Sequence, residues 1–176
     1  MDDWRKQIAI AHLVKQQVAE LDVDGLWPHH FPEVAASQEK IERVEEILGE
    51  CLDARYREFL LFADGWKGFY HSVDLFGTDD LVGGLRLEIA KSLIEALQPL
   101  EIVSGVFKEG VMPIAVSQHS IDVFVIGRRN APVPGEVLWF AGQLIDRFPN
   151  FDEFFLAMVD YNREEAKALA RSDHKS

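Results

Sequence analysis

The stretch from residue 48 to residue 81, LGECLDARYREFLLFADGWKGFYHSVDLFGTDDL, limits the fold more than any other part of the chain. Leu52, Tyr56, Phe59 and Leu60 form an aromatic-aliphatic face at helical spacing. The pattern breaks at Asp64-Gly65, and Gly65 is the expected helix stop. A residue of positive φ commonly closes a helix, and glycine has no Cβ to clash there. Trp66, Phe69 and Tyr70 follow as an aromatic cluster able to fold back and bury a large apolar area. Val73, Leu75 and Phe76 then read as a short strand, ending at Gly77 and an acidic turn, Thr78-Asp79-Asp80. This is packing chemistry rather than catalytic chemistry.

A core for these rings is available: 48% of the 176 residues are apolar and Phe occurs 12 times, which suits one domain. No apolar run approaches the roughly 18 residues of a membrane span. Met1-Asp2-Asp3 is acidic where a signal peptide would be basic, so a cytoplasmic protein is expected. The single cysteine, Cys51, excludes an internal disulfide, fits a reducing compartment and reads as a half-buried helical thiol. Thirty acidic residues against 18 basic ones give a net charge of −12. That balance argues against direct nucleic-acid binding, which needs cationic surface. Solubility is the simplest reading of the excess, and a negative face for a basic partner is the sharper one.

Residues 3 to 21 read as a helix capped by Asp2 or Asp3, with Trp4, Ile8, Ala11, Val18 and Leu21 on one stripe and Lys and Gln opposite. Residues 26 to 36 form a proline-punctuated connector tacked down by Trp27 and Phe31. A second helix spans 37 to 51, capped by Ser37, with Ile41, Val44, Ile47, Leu48 and Cys51 inward and a solvated acidic face. Gly83-Gly84 marks a loop, and residues 86 to 98 return to helical spacing until Pro99. Strands are expected at 102–107, 111–117, 121–127 and 136–142, with short links that imply an antiparallel meander. One face of the 121–127 strand (Asp122, Phe124, Ile126) is only partly polar, so a cover is expected on it. Asn150 and Glu153 open a final helix whose buried face is Phe151, Phe154, Phe155, Met158 and Val159. Residues 161–176 read as a charged, fraying tail.

Motifs of known chemistry are missing: no G-x-S-x-G, no H-E-x-x-H, no glycine-rich phosphate loop. His29-His30 reads as a solvent-facing loop rather than a metal site, because adjacent residues seldom point at one ion. His71 reads as a structural histidine, Asp64 as turn chemistry and Trp66 as core. No cofactor and no metal are expected.

Several pieces together resemble one family. Leu48-Gly49, Leu52, Tyr56, Phe59-Leu60 and Gly65-Trp66 resemble the signature of the SUKH superfamily, which reads roughly LG, LP, Y, FL and NGW in that order. Leu75-Phe76-Gly77, Asp79-Asp80-Leu81, Met112-Pro113-Ile114-Ala115, Asp122 to Gly127 and Phe151 to Leu156 resemble its later elements in sequence. The likeness spans about residues 37–160, with residues 1–36 as an N-terminal helix and connector. Asp53 stands where the family commonly has Pro, Asp64 where it has Asn, and Ile121 where Gly is frequent. The resemblance implies a single α+β domain, an antiparallel sheet flanked by helices, without catalytic residues.

The resemblance also implies a protein partner. Bacterial members are largely immunity proteins that neutralise polymorphic toxins, and fungal relatives act in cell-wall regulation. The first expectation is an immunity protein that covers a toxin domain, for example a basic nuclease, with its acidic surface. Its candidate partner-binding residues are Asp64, Trp66, Asp74, Asp79 and Asp80. The second is a regulatory or scaffolding adaptor that holds a cellular protein or peptide beside the sheet.

Overall fold

The computed structural model describes residues 3–97 and 99–173. Six strands form one sheet in sequence order: β1 (Trp66–Tyr70), β2 (Val73–Leu75), β3 (Val111–Ser117), β4 (Asp122–Gly127), β5 (Val137–Ala141) and β6 (Leu144–Phe148). Every neighbouring pair is antiparallel. Seven α-helices accompany it among the described residues: α1 (Trp4–Leu21), α2 (Gln38–Leu48), α3 (Ala54–Leu60), α4 (Thr78–Val82), α5 (Leu85–Ala96), α6 (Leu100–Ser104) and α7 (Phe151–Asp173). The α+β class and the antiparallel meander are therefore as expected. None of the helices is long and apolar enough to cross a membrane, among the described residues.

All of β3, and β4 beyond Asp122, is buried, so both faces of the sheet are covered. Helix α5 lies against β3 and β4, and α7 against β1 and β6. The expected cover on the Phe124 face is α7, whose Phe154 ring lies 5.4 Å from Phe124. Asn150 Oδ1 accepts from Glu153 N at 3.1 Å and so starts α7 as anticipated. Asp3 accepts from Lys6 N and starts α1 in the same way. Trp4 then stands edge-on to Phe59 (5.3 Å) and Phe155 (5.1 Å), joining α1, α3 and α7 in one aromatic core. Such ring pairs are worth about 0.5–1.5 kcal/mol each beyond their burial.

Several local expectations are corrected. Helix α3 ends at Leu60, not at Gly65: Leu61 N bonds Glu58 O and Phe62 N bonds Phe59 O, tightening the last turn. Trp66 to Tyr70 is a strand rather than a loose cluster. The acidic turn is the helix α4, started by side chains described below. Residues 102–107 are not a strand. Pro99 caps α6 and Gly105 closes it in the left-handed conformation, so local caps override β-branched preference. The edge strand β6 carried too weak an alternation to be anticipated.

Beyond Tyr161 the chain does not fray, because Asn162 and Ala166 are buried and Asn162 Nδ2 donates to Phe69 O and Met158 O. Residues 174–176 of the expected tail lie outside the described residues. Cys51 is exposed and lies between α2 and α3. Ile47 is exposed as well. In the connector, Trp27 does tie down, by its Nε1 to Glu165 and by stacking on His71, whereas Phe31 is 72% exposed.

Lys15 is the largest surprise on α1, since it is 4% exposed instead of facing water. Burial pulls its ammonium down from 10.5 to about 8, against the opposing pull of Asp22. Between those two values the unfolded chain holds a proton that the folded chain has lost, so stability rises with pH there. Below the window the full cost of the buried charge is present. Lys15→Met is expected to be more stable than the wild type near neutral pH, and to lose about 3 kcal/mol of that advantage as pH rises through the window. Urea unfolding of both chains across this range is the check, and parallel stability profiles would sink the assignment.

Candidate functional site

All five sequence-predicted residues meet at one end of the sheet. The chain leaves α3, crosses the end of β2 and enters β1 at Asp64-Gly65. Gly65 has φ +91°, and a Cβ there would lie 2.6 Å from Gly77 N and 2.8 Å from Leu75 O. A Cβ on Gly77 would reciprocally lie 2.2 Å from Asp64 O. Both glycines are therefore required by a backbone crossing, and Gly65 also by its φ.

The crossing sets the carboxylates. Asp64 Oδ1 accepts from Thr78 N (2.6 Å), and its Oδ2 accepts from Thr78 Oγ1 (2.9 Å) and Lys40 Nζ (2.9 Å). Asp64 thus caps α4 from outside the helix, although it lies far from it in sequence. Lys40 Nζ also reaches Asp79 Oδ2 at 3.0 Å. Its hydrogen bond to Asp64 is the main reason its ammonium is held above the usual lysine range, with Asp79 adding to the shift. Asp80 Oδ2 accepts from Gly77 N (3.1 Å), and Arg86 Nη1 donates to Asp80 Oδ1 (2.9 Å). Arg86 Nε donates to Asp74 Oδ2 (2.8 Å), while Asp74 Oδ1 accepts from Gly68 N (2.8 Å). Below them, Tyr56 Oη donates to Phe76 O at 2.8 Å. Its burial, reinforced by Asp80 and Asp64, pushes the phenol well above its usual range and keeps it neutral.

Of these groups, Lys40, Asp64, Gly77, Asp79, Asp80 and Arg86 border a cavity of about 330 Å³ that Glu33, Val34 and Lys67 help to wall. Asp79, with its side chain 86% exposed, stands at the rim, while Asp64, Asp74 and Asp80 are largely withdrawn. Trp66 is brought to the same place but is 0% exposed, and its Nε1 donates to His30 O at 2.8 Å. Its indole is therefore part of the floor and fastens the connector; it does not present a face to a partner. Sequence reasoning missed the cations Lys40 and Arg86. Nothing local marks them, because Lys40 precedes Asp64 by 24 residues on a different helix. Among the described residues no group of three His, Cys, Asp or Glu is placed to hold a metal ion.

The signature residues thus sit where backbone crossing, capping and core packing require them. Residues 35–157 match the model of the SMI1 / KNR4 family (SUKH-1). The chain belongs to this family. No curated protein matches it. The SUKH-1 match runs from the end of the connector into α7 and leaves α1 outside, although Trp4 of α1 shares its core. At the two departures nearest the site the substituted residues hold structure. Asp53 caps α3 by accepting from Arg55 N and Tyr56 N, and Asp64 makes the contacts given above.

Gly65→Ala is expected to cost more than about 2 kcal/mol, because a positive φ and a backbone collision act together. Asp64→Asn retains an acceptor for Thr78 N and loses the ion pair with the part-exposed Lys40, so its cost is expected to be under about 1 kcal/mol. Denaturant unfolding compares the two, and a Gly65→Ala chain as stable as the Asn variant would contradict the crossing's role.

Proposed function

We propose that this SUKH-1 chain is a non-enzymatic immunity protein that acts in the cytoplasm by binding a protein toxin domain. Family membership supports a protein partner. The observation that carries the reading further is the exposed carboxylate Asp79 at the rim of a polar cavity, on a chain of net charge −12. A nuclease-type toxin carries a basic substrate site, and an acidic surface accelerates encounter with it and occupies its phosphate subsites by charge. In this reading Asp79 and Glu33 touch the partner. Asp64, Asp74 and Asp80 hold the rim in shape, and Trp66 supports it from below.

The adaptor reading keeps one observation of its own. Lys40 and Arg86 neutralise much of the cluster from within, which leaves a cavity of mixed donors and acceptors suited to a short peptide segment.

Purification of the tagged chain from its host, with mass spectrometry of what accompanies it, separates the two. A partner lethal alone and harmless with this chain supports immunity; repeated recovery of a non-toxic cellular protein supports the adaptor. With the partner in hand, Asp79→Lys is expected to slow association about tenfold at low salt and to leave folding intact. Unchanged association kinetics would remove this rim from the interface.

A further inference from the structure

The buried Lys15 raises a question that the partner surface does not answer. Among the described residues its ammonium has no hydrogen bond and no ion pair, yet only 4% of the residue is exposed. Asp22 attracts it through space. That carboxylate is already committed to Leu26 N (2.8 Å), Trp27 N (2.9 Å) and His29 Nε2 (2.9 Å). One turn earlier on α1, His12 Nδ1 is also buried and has no partner. Lys15 and His12 line the same cavity of about 150 Å³, walled by Gln16, Ala19, His29, His30 and Phe31. The Phe31 ring lies 4.8 Å from the His12 ring and closes one side. The buried His12 Nδ1 has no partner, which costs free energy, and the Lys15 ammonium beside the same void has no protein partner either, so a ligand that accepts from both would satisfy them.

We propose that this cavity is a binding site for a small organic monocarboxylate, its carboxylate held between the Lys15 ammonium and the His12 Nδ1–H, and its short aliphatic tail packed against Phe31 and Ala19. The chemistry selects this class. A cationic wall rejects a metal ion or an amine. Two donors match the two oxygens of a carboxylate but leave a phosphate underserved. The wall away from those donors is largely apolar, which suits a short hydrocarbon tail. The near-complete burial of Lys15 favours a free small acid over a side chain carried on a partner's surface. Asp22 acts against any anion here, and its engagement with two backbone amides and His29 is what blunts that repulsion. The site lies on α1 and the connector, largely outside the SUKH-1 match, and does not depend on the toxin reading.

Butyrate is the probe, followed by backbone amide NMR of the full chain. Saturable shifts confined to α1 and residues 27–31 are expected with butyrate, and none with n-butanol or n-butylammonium at equal concentration. Lys15→Met keeps the side-chain volume, is expected to remain folded, and weakens butyrate binding by about tenfold or more. Absence of saturable shifts with butyrate, equal binding of n-butanol, or unchanged butyrate affinity in Lys15→Met would each overturn the site. The comparison of butyrate with n-butanol uses the wild type alone, so it decides the matter even if the substituted chain fails to fold.

Discussion

The backbone crossing of Gly65 over Gly77 is the constraint on which the rest depends. Two chain segments approach so closely that neither position tolerates a Cβ. The crossing joins the exit of α3 to the exit of β2, and so fixes how a helical layer meets the first hairpin of the sheet. Asp64 then stands beside Thr78 and caps α4, while Tyr56 from α3 bonds Phe76 O just before Gly77. Lys40 brings α2 to the same point, and Arg86 brings α5. Charged side chains here complete a geometry that a backbone contact has already set. The cavity beside them follows from that geometry and not from any dedicated loop.

The aromatic core has a different role. Trp4, Phe59, Phe151 and Phe155 lie within 5.8 Å of one another in the pairs that link α1, α3 and α7. Removing α1 would expose those rings, although the family match does not include it. An element outside the family core is thus bound to it by dispersion and apolar burial. Lys15 lies on the same buried side, and with His12 it lines a cavity under the connector rather than the aromatic core.

Much of this was legible in the sequence, and the failures have physical causes. Helical spacing found α1, α2, α5 and α7, because each buries one stripe and a spacing of three and four residues records it. Short strands bounded by turn residues found β2 to β5. Gly65 was rightly marked as special and wrongly explained: positive φ has more than one use, and only the partner glycine identifies a crossing. The 102–107 segment failed because Pro99 and Gly105 decide it locally while its β-branched residues pull the other way. Lys15 failed because a lysine at a stripe's border is read as solvated, and its burial depends on the connector that folds over α1. The acidic residues of the site were found, but Lys40, distant in sequence, and Arg86, beyond the Gly83-Gly84 loop, were not.

That omission changes what the net charge means. A count of −12 suggested a uniformly acidic rim at Asp64 to Asp80, yet Lys40 and Arg86 each bridge two of those carboxylates. Three carboxylates near the aromatic rings of β1, β5 and α7 bond ring groups instead. Asp122 accepts from Trp139 Nε1, Asp146 from Tyr161 Oη, and Glu165 from Trp27 Nε1 and His71 Nε2. Burial first, and then Glu165 and Asp122, push the Tyr70 phenol among them up to about 12, which places a negative field on that aromatic side of the sheet. Paired charges cancel within a few ångströms, whereas unpaired ones act over a Debye length of about 8–10 Å. Asp122, Asp146 and Glu165, which bond aromatic rings, therefore act over a longer range than the carboxylates of the cavity, which bond Lys40 and Arg86. The proposed basic partner would be attracted by the first and fitted by the second, which would separate long-range attraction from local fit.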